Sequence, residues 1–144
     1  MELVGMGILK PVVALAIWTM AMWVWMYATR IPAMRAAKTD LDRLANDPDY
    51  TVDKAVPAHV QWKAKNYNHL HEAPTVFYAI AIVLAIIGQG DGVNMWLGWA
   101  YVALRVIHSL VQAIINLIML RFAIFVCSSV VLIALILHAA MALF

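Results

Sequence analysis

The segment FAIFVCSSVVLIALILHAAMAL, residues 122–143, decides the fold class of this chain. It contains no Asp, Glu, Lys or Arg, and its side chains are apolar except for two serines and one histidine. Crossing the hydrocarbon layer of a membrane takes about 20 mostly apolar residues in one α-helix. The segment therefore predicts a membrane-spanning helix.

Three further segments of the same character lie at about residues 8–28, 57–87 and 95–120. Hydrophobic residues make up 65% of the 144-residue chain and charged residues 12%, which departs far from soluble proteins. We therefore predict one domain over residues 1–144, an all-α integral membrane four-helix bundle with up-down topology. The first segment is long, rich in Trp and Met and without a small-residue cleavage site, which indicates a retained helix and not a signal peptide.

Charged residues are concentrated in one aqueous loop, residues 30–56, and at the start of the helix that follows it. Arg121 lies between the third and fourth helices, whereas the glycine-rich turn at residues 88–94 carries no basic residue. The positive-inside rule then predicts that both basic loops are cytoplasmic and that both termini lie on the opposite side. A net charge of +2 is too small to indicate nucleic-acid binding. The lone Cys127 cannot form a disulfide within the chain.

Two polar stripes are expected along the second and third helices, because polar residues recur there every three or four positions. The first comprises Gln61, Lys65, Asn68, Glu72 and Thr75, and the second Arg105, His108, Gln112 and Asn116. A charge at the centre of a bilayer costs about 2.5 to 3.5 kcal/mol, so such groups usually face the interior of a bundle. We therefore expect Glu72 to compensate Arg105 or Arg121 inside the protein. Thr75, Ser109 and Asn116 are explained well enough by packing.

Other kinds of site have little support in the sequence. His69 and His71 are two residues apart and point in different directions on a helix, and no cysteine or carboxylate cluster completes a metal shell. No metal site is therefore predicted. Ser128 and Ser129 have no base at motif spacing, so serine nucleophile chemistry is not indicated.

The order of three motifs resembles the MAPEG family, membrane-associated proteins in eicosanoid and glutathione metabolism, in a bacterial-type member. The motifs are NHLHEAP at residues 68–74, RVIH at residues 105–108, and Arg121 opening the fourth helix. The resemblance extends over essentially the whole chain. It implies a homotrimer in a bacterial inner membrane, with glutathione bound between neighbouring protomers near the cytoplasmic side.

The resemblance also implies roles for individual residues. Arg121 matches the arginine that activates the thiol. The residues implied to bind glutathione are Arg35, Lys65, Asn68, Glu72, Arg105, His108 and Gln112. The chain departs from better-known members at Gln112 and Phe125, which stand where those members carry tyrosines, and in the spacing between Asn68 and Glu72, four residues instead of three.

The function implied is a glutathione-dependent transferase or peroxidase that acts on lipophilic electrophiles or hydroperoxides, with glutathione as cofactor and membrane lipids around the protein. Two other functions stay open. A non-enzymatic trimeric scaffold or lipid-binding protein would use the polar stripes only to fix helix register. A proton or ion pathway would run through Glu72, His108 and Arg105.

Overall fold

The computed structural model describes residues 4–144, and no strand occurs among them. The helices are α1 (Leu9–Ala36), α2 (Leu41–Asn46), α3 (Val52–Ala55), α4 (Ala58–His69), α5 (Ala73–Ile86), α6 (Val93–Leu110) and α7 (Ile118–Leu143), with a π-helical segment at Val111–Ile115. Within the described part, four helical units are long and apolar enough to cross a membrane: Leu9–Ala36, Ala58–Ile86, Val93–Ile115 and Ile118–Leu143. The predicted all-α, four-helix membrane fold is confirmed.

The four units pack around an apolar core. α6 packs along α7, α1 contacts α4 and α6, and α5 contacts α7. At the centre, the rings of Phe77 and Tyr101 stack with their centroids 4.5 Å apart. α1 approaches α6 closely at Gly98, where a Cβ would lie 2.9 Å from Pro11 Cγ. Glycine at this position therefore allows the two helices to pack together.

α1 is longer than predicted and ends at Ala36, so the loop begins at residue 37 and not at residue 30. The prediction placed the end of the helix where charged residues begin. However, Arg, Ala and Met favour helices, and a helix can continue beyond the apolar layer. Pro32 lies inside this extension. The loop itself contains α2, which Asp40 caps by accepting hydrogen bonds from the N–H groups of Asp42 and Arg43.

The second span was predicted as one helix over residues 57–87, but it is interrupted between His69 and Ala73. α4 begins directly after Pro57, and residues 61–65 lie within it. Pro74 stands in the first turn of α5. A proline clashes with the carbonyl of the residue four positions earlier, which here is Leu70, so an uninterrupted helix cannot pass through this point. Leu70 is the C-terminal cap of α4, directly after its last residue.

The third span was predicted to end near residue 120 and the fourth to begin at residue 122; both boundaries lie earlier. α6 widens into the π-helical segment Val111–Ile115 and stops at Asn116, which has a left-handed backbone (φ 53°, ψ 38°). α7 then begins at Ile118. Asn adopts this conformation more easily than most residues, so it can end a helix without a glycine. Arg121 consequently lies in the first turn of α7, where its N–H donates to Leu117 O at 3.0 Å.

Candidate functional site

A pocket of about 310 Å³ opens where α4, α6 and α7 meet. Its lining residues are His69, His108, Ile118, Arg121, Phe122 and Phe125. His69 is the last residue of α4 and faces His108 of α6, with ring centroids 5.5 Å apart. The other four lining residues come from the first two turns of α7. The pocket therefore combines one permanent cation, two imidazoles and an apolar wall.

Arg121 is held at this pocket by a neighbour in the chain. Its Nη1 donates a hydrogen bond of 2.6 Å to Asn116 Oδ1. Its Nε is buried and has no hydrogen-bond partner among residues 4–144. A buried donor on a charged group without a partner is unfavourable, so Arg121 retains capacity to bind a polar or anionic ligand.

Arg105 lies deeper in the bundle and is 1% exposed. Its Nε donates to Tyr101 Oη at 3.1 Å, and its guanidinium carbon lies 5.4 Å from the centroid of the Phe125 ring. Because Phe125 also lines the pocket, Arg105 is adjacent to the pocket wall without being among its lining residues. Its Nη2 has no partner in the described part of the chain.

Glu72 does not compensate Arg105 or Arg121 within one chain, contrary to expectation. Its side chain is 65% exposed, and Oε2 lies 3.2 Å from His69 Nδ1 without hydrogen-bond geometry. The expected pairing assumed an unbroken helix. The interruption between α4 and α5 falls at residues 70–72 and removes Glu72 from the regular spacing of the stripe.

Of the eight predicted site residues, Arg121 and His108 line the pocket and Arg105 is adjacent to it. Gln112 is buried in the π-helical segment, and its Oε1 has no partner among residues 4–144. The remaining four, Arg35, Lys65, Asn68 and Glu72, are exposed on the surface of a single protomer. One chain therefore does not bring the eight residues into one site.

The sequence interpretation missed three polar contacts around the site. Asn66 Nδ2 donates to Ser109 Oγ at 2.6 Å and joins α4 to α6. The sequence suggests His71 as the neighbour of His69 in a metal pair, whereas the ring of His69 contacts the ring of His108 on another helix. Asn116 was explained by packing. The sequence signal for the contact with Arg121 is that Asn116 lies five residues before it and that a helix end is predicted between the two residues.

Comparison with known proteins gives one match. The model of the MAPEG family matches residues 8–141. No curated protein and no solved structure matches the chain. The match covers nearly the whole chain and confirms the resemblance inferred from the three motifs. Together with the four spans, it establishes an integral membrane protein whose helices contact lipid. The chain belongs to the MAPEG family.

Proposed function

We propose that this protein is a membrane-embedded glutathione-dependent transferase or peroxidase that acts on lipophilic electrophiles or hydroperoxides. The observation that carries the proposal is Arg121: a permanent cation at the wall of a pocket, with a buried Nε that has no partner among residues 4–144. Family membership supports the choice of glutathione as the thiol.

The residues present fit glutathione, which carries two carboxylates, an ammonium group and a thiol. Partnerless donors on Arg121 and on Arg105 suit carboxylate or thiolate acceptors. The pocket volume of about 310 Å³ is near the lower end of the range for small-molecule sites, about 300 to 1,000 Å³. No carboxylate is among the residues that line the pocket, so another group must bind the ammonium of glutathione.

The exposed polar residues of the second span supply such groups in a second copy of the chain. Lys65, Asn68 and Glu72 are exposed in one protomer although they lie within the span 58–86. Polar side chains facing lipid are costly, so another protein surface or water covers them. In a homotrimer, the oligomer that the resemblance implies, Lys65 binds a carboxylate and Glu72 binds the ammonium group of glutathione in the neighbouring pocket. Arg35 at the end of α1 provides a further cation.

Arg121 performs the electrostatic part of the reaction. Glutathione supplies the nucleophilic thiol when bound. Lowering a thiol pKa from about 8.5 by about two units requires roughly 2.7 kcal/mol. A cation about 4 Å away, at an effective dielectric constant near 20, offers around 4 kcal/mol. The charge on Arg121 is thus sufficient to keep the thiol ionised near neutral pH.

The apolar wall of the pocket suits a substrate that arrives from the membrane. Ile118 is 73% exposed and Phe122 is 60% exposed, so these pocket residues also belong to the outer surface of α7. A lipophilic molecule dissolved in the bilayer can therefore reach the pocket across apolar side chains. The basic loop and Arg121 favour the cytoplasmic side as the side from which glutathione enters.

Isothermal titration of the detergent-purified full chain with glutathione tests the proposal directly. We expect saturable binding, consumption of glutathione in the presence of a lipophilic electrophile or hydroperoxide, and much weaker turnover in Arg121→Ala. Arg43→Ala is the matched control, because Arg43 is an exposed cation in the loop, away from the pocket. Absence of both binding and consumption would reject the proposal in favour of a non-enzymatic membrane scaffold.

A further inference from the structure

Asn116 occupies an unusual place in the backbone, between the π-helical segment and α7. Its left-handed conformation (φ 53°) is shared among the described non-glycine residues only by Lys38 (φ 49°). Its N–H donates to Val111 O at 2.6 Å and closes the π-helical segment. The direction in which its side chain leaves the backbone is therefore set by the turn.

The side chain of Asn116 reaches the first turn of α7. Oδ1 accepts the hydrogen bond from Arg121 Nη1 at 2.6 Å, a short contact of the kind that charged donors form. The bond uses one end of the guanidinium and leaves Nε without a partner in the described part of the chain. By accepting from Nη1, Asn116 therefore restricts rotation of the Arg121 guanidinium, and Nε stays available as a donor.

The acceptor carries no net charge, which distinguishes it from a carboxylate, the usual partner of an arginine in a protein. The ion pairs of arginine or lysine with carboxylates among residues 4–144 are Arg30–Asp53 and Arg43–Asp47, and neither involves Arg121. The other titratable groups around the pocket are His69 on α4, His108 on α6, Arg105 beyond Phe125, and the exposed Glu72, which contacts the imidazole of His69 and not Arg121. A carboxylate in the place of Asn116 would neutralise the cation that the amide only orients.

We infer that Asn116 is a positioning residue for the reaction: its amide oxygen fixes the guanidinium of Arg121 at the pocket without neutralising its charge. The inference deepens the proposed function and rests on it. Asn116 itself does not contact the reacting atoms. Its effect on them is transmitted through Arg121.

Two substitutions separate this role from a purely structural one, because both new residues tolerate a left-handed backbone. Asn116→Gly keeps the turn and removes the acceptor. Asn116→Asp keeps the shape and the acceptor and adds a negative charge. Lys38→Gly is the matched control, since it changes the other left-handed position, which is exposed and away from the pocket. If Asn116 served only to form the turn, all three variants would resemble the wild type.

The first measurement is the ionisation of bound glutathione, monitored as ultraviolet thiolate absorbance against pH at equal glutathione occupancy. The second is the pair of kinetic constants kcat and KM. In Asn116→Gly we expect the pH midpoint of thiol ionisation to rise towards that of free glutathione. We also expect kcat to be about tenfold lower and KM to change little. In Asn116→Asp the midpoint should rise further and kcat should fall about 100-fold. Wild-type midpoints and kcat in both variants would overturn the inference.

A third measurement separates failure of this inference from failure of the proposed function. Nitrogen-15 NMR of the Arg121 guanidinium in the full detergent-solubilised chain reports its rotation without any glutathione. Rotation should be restricted in the wild type and at least tenfold faster in Asn116→Gly. If the wild type binds no glutathione, the proposed function is rejected. Equal rotation rates of the guanidinium in the wild type and in Asn116→Gly would overturn the inference, whether or not glutathione binds.

Discussion

Arg105 donates from Nε to the phenol oxygen of Tyr101, one helical turn earlier in α6, and no carboxylate among residues 4–144 pairs with it. A guanidinium in the interior of a membrane bundle is therefore balanced by one neutral hydroxyl and by the faces of two aromatic rings, Tyr101 and Phe125. Cation–π contacts of this kind stabilise a desolvated cation by about 2 kcal/mol or more.

Removal of the hydroxyl in Tyr101→Phe should destabilise the fold by about 1.5 to 3 kcal/mol, because it takes the acceptor from a buried charged donor while keeping the ring. The measurement is the free energy of unfolding in detergent micelles. Tyr27→Phe, at an exposed ring on α1, serves as the control and should be neutral. Equal stability of Tyr101→Phe and the wild type would mean that another group accepts from Arg105.

A substitution that removes one ring of the stacked pair Phe77 and Tyr101 should destabilise the fold more than Tyr101→Phe does. Phe77 is fully buried and stacks on Tyr101. Phe77→Ala should lower the free energy of unfolding by about 3 to 5 kcal/mol, since it removes buried contacts and leaves a cavity. Val76→Ala, on the exposed side of the same helix, should change it by less than about 0.5 kcal/mol. Similar losses in the two variants would contradict the packing described for α5.

Arg121→Ala should lower turnover about 100-fold or more while leaving much of the glutathione affinity, because the other proposed contacts remain. Arg121→Lys should recover only part of the loss, since lysine keeps the charge but not the planar set of donors that contacts Asn116. Turnover and ultraviolet thiolate absorbance are compared at equal glutathione occupancy. Equal rates in all three proteins would exclude Arg121 from catalysis.

Glu72→Gln tests the contribution of a neighbouring protomer. Because Glu72 is exposed within one chain, its neutralisation should change the stability of the protomer by less than about 0.5 kcal/mol. If a second copy covers it, glutathione binding should weaken about tenfold and self-association should weaken as well. Titration calorimetry and the mass of the detergent complex give the two results. Asp42→Asn, an exposed carboxylate in α2, is the control. Unchanged affinity and mass would place Glu72 in water or lipid headgroups.

Composition predicted the four spans well because apolar length is a direct requirement of the bilayer. It predicted helix ends poorly. The charged residues after Ala28 mark where a helix leaves hydrocarbon, but not where its hydrogen bonding stops, and α1 continues to Ala36. Likewise the third helix was predicted to continue to about residue 120. A π-helical segment and a left-handed Asn116 end it instead, and hydropathy carries no information on either feature.

The burial of polar residues was predicted best where a helix is regular. Arg105 and His108 lie on one face of α6 and are both buried, as their spacing indicates. The regular spacing does not extend along the second span, because Pro74 interrupts the helix between Asn68 and Glu72. Pro74 is visible in the sequence, and its clash with the carbonyl four residues upstream is the signal for this interruption. Asn66 was missed for a different reason: it lies in the regular helix α4 but not on the polar stripe predicted there.

The π-helical turn at Val111–Ile115 also allows the chain to lose one residue between His108 and Arg121. A π turn accommodates one residue more than an α turn, so the loss of a single residue there would restore ordinary helical geometry and leave later side chains pointing in about the same direction. A second deletion would fall in a turn that is already α-helical and would rotate every later side chain by about 100° around the axis of the third span. The residue in the place of Asn116 would then no longer point towards α7. Related chains with the same pocket should therefore differ by at most one residue in the length of this segment.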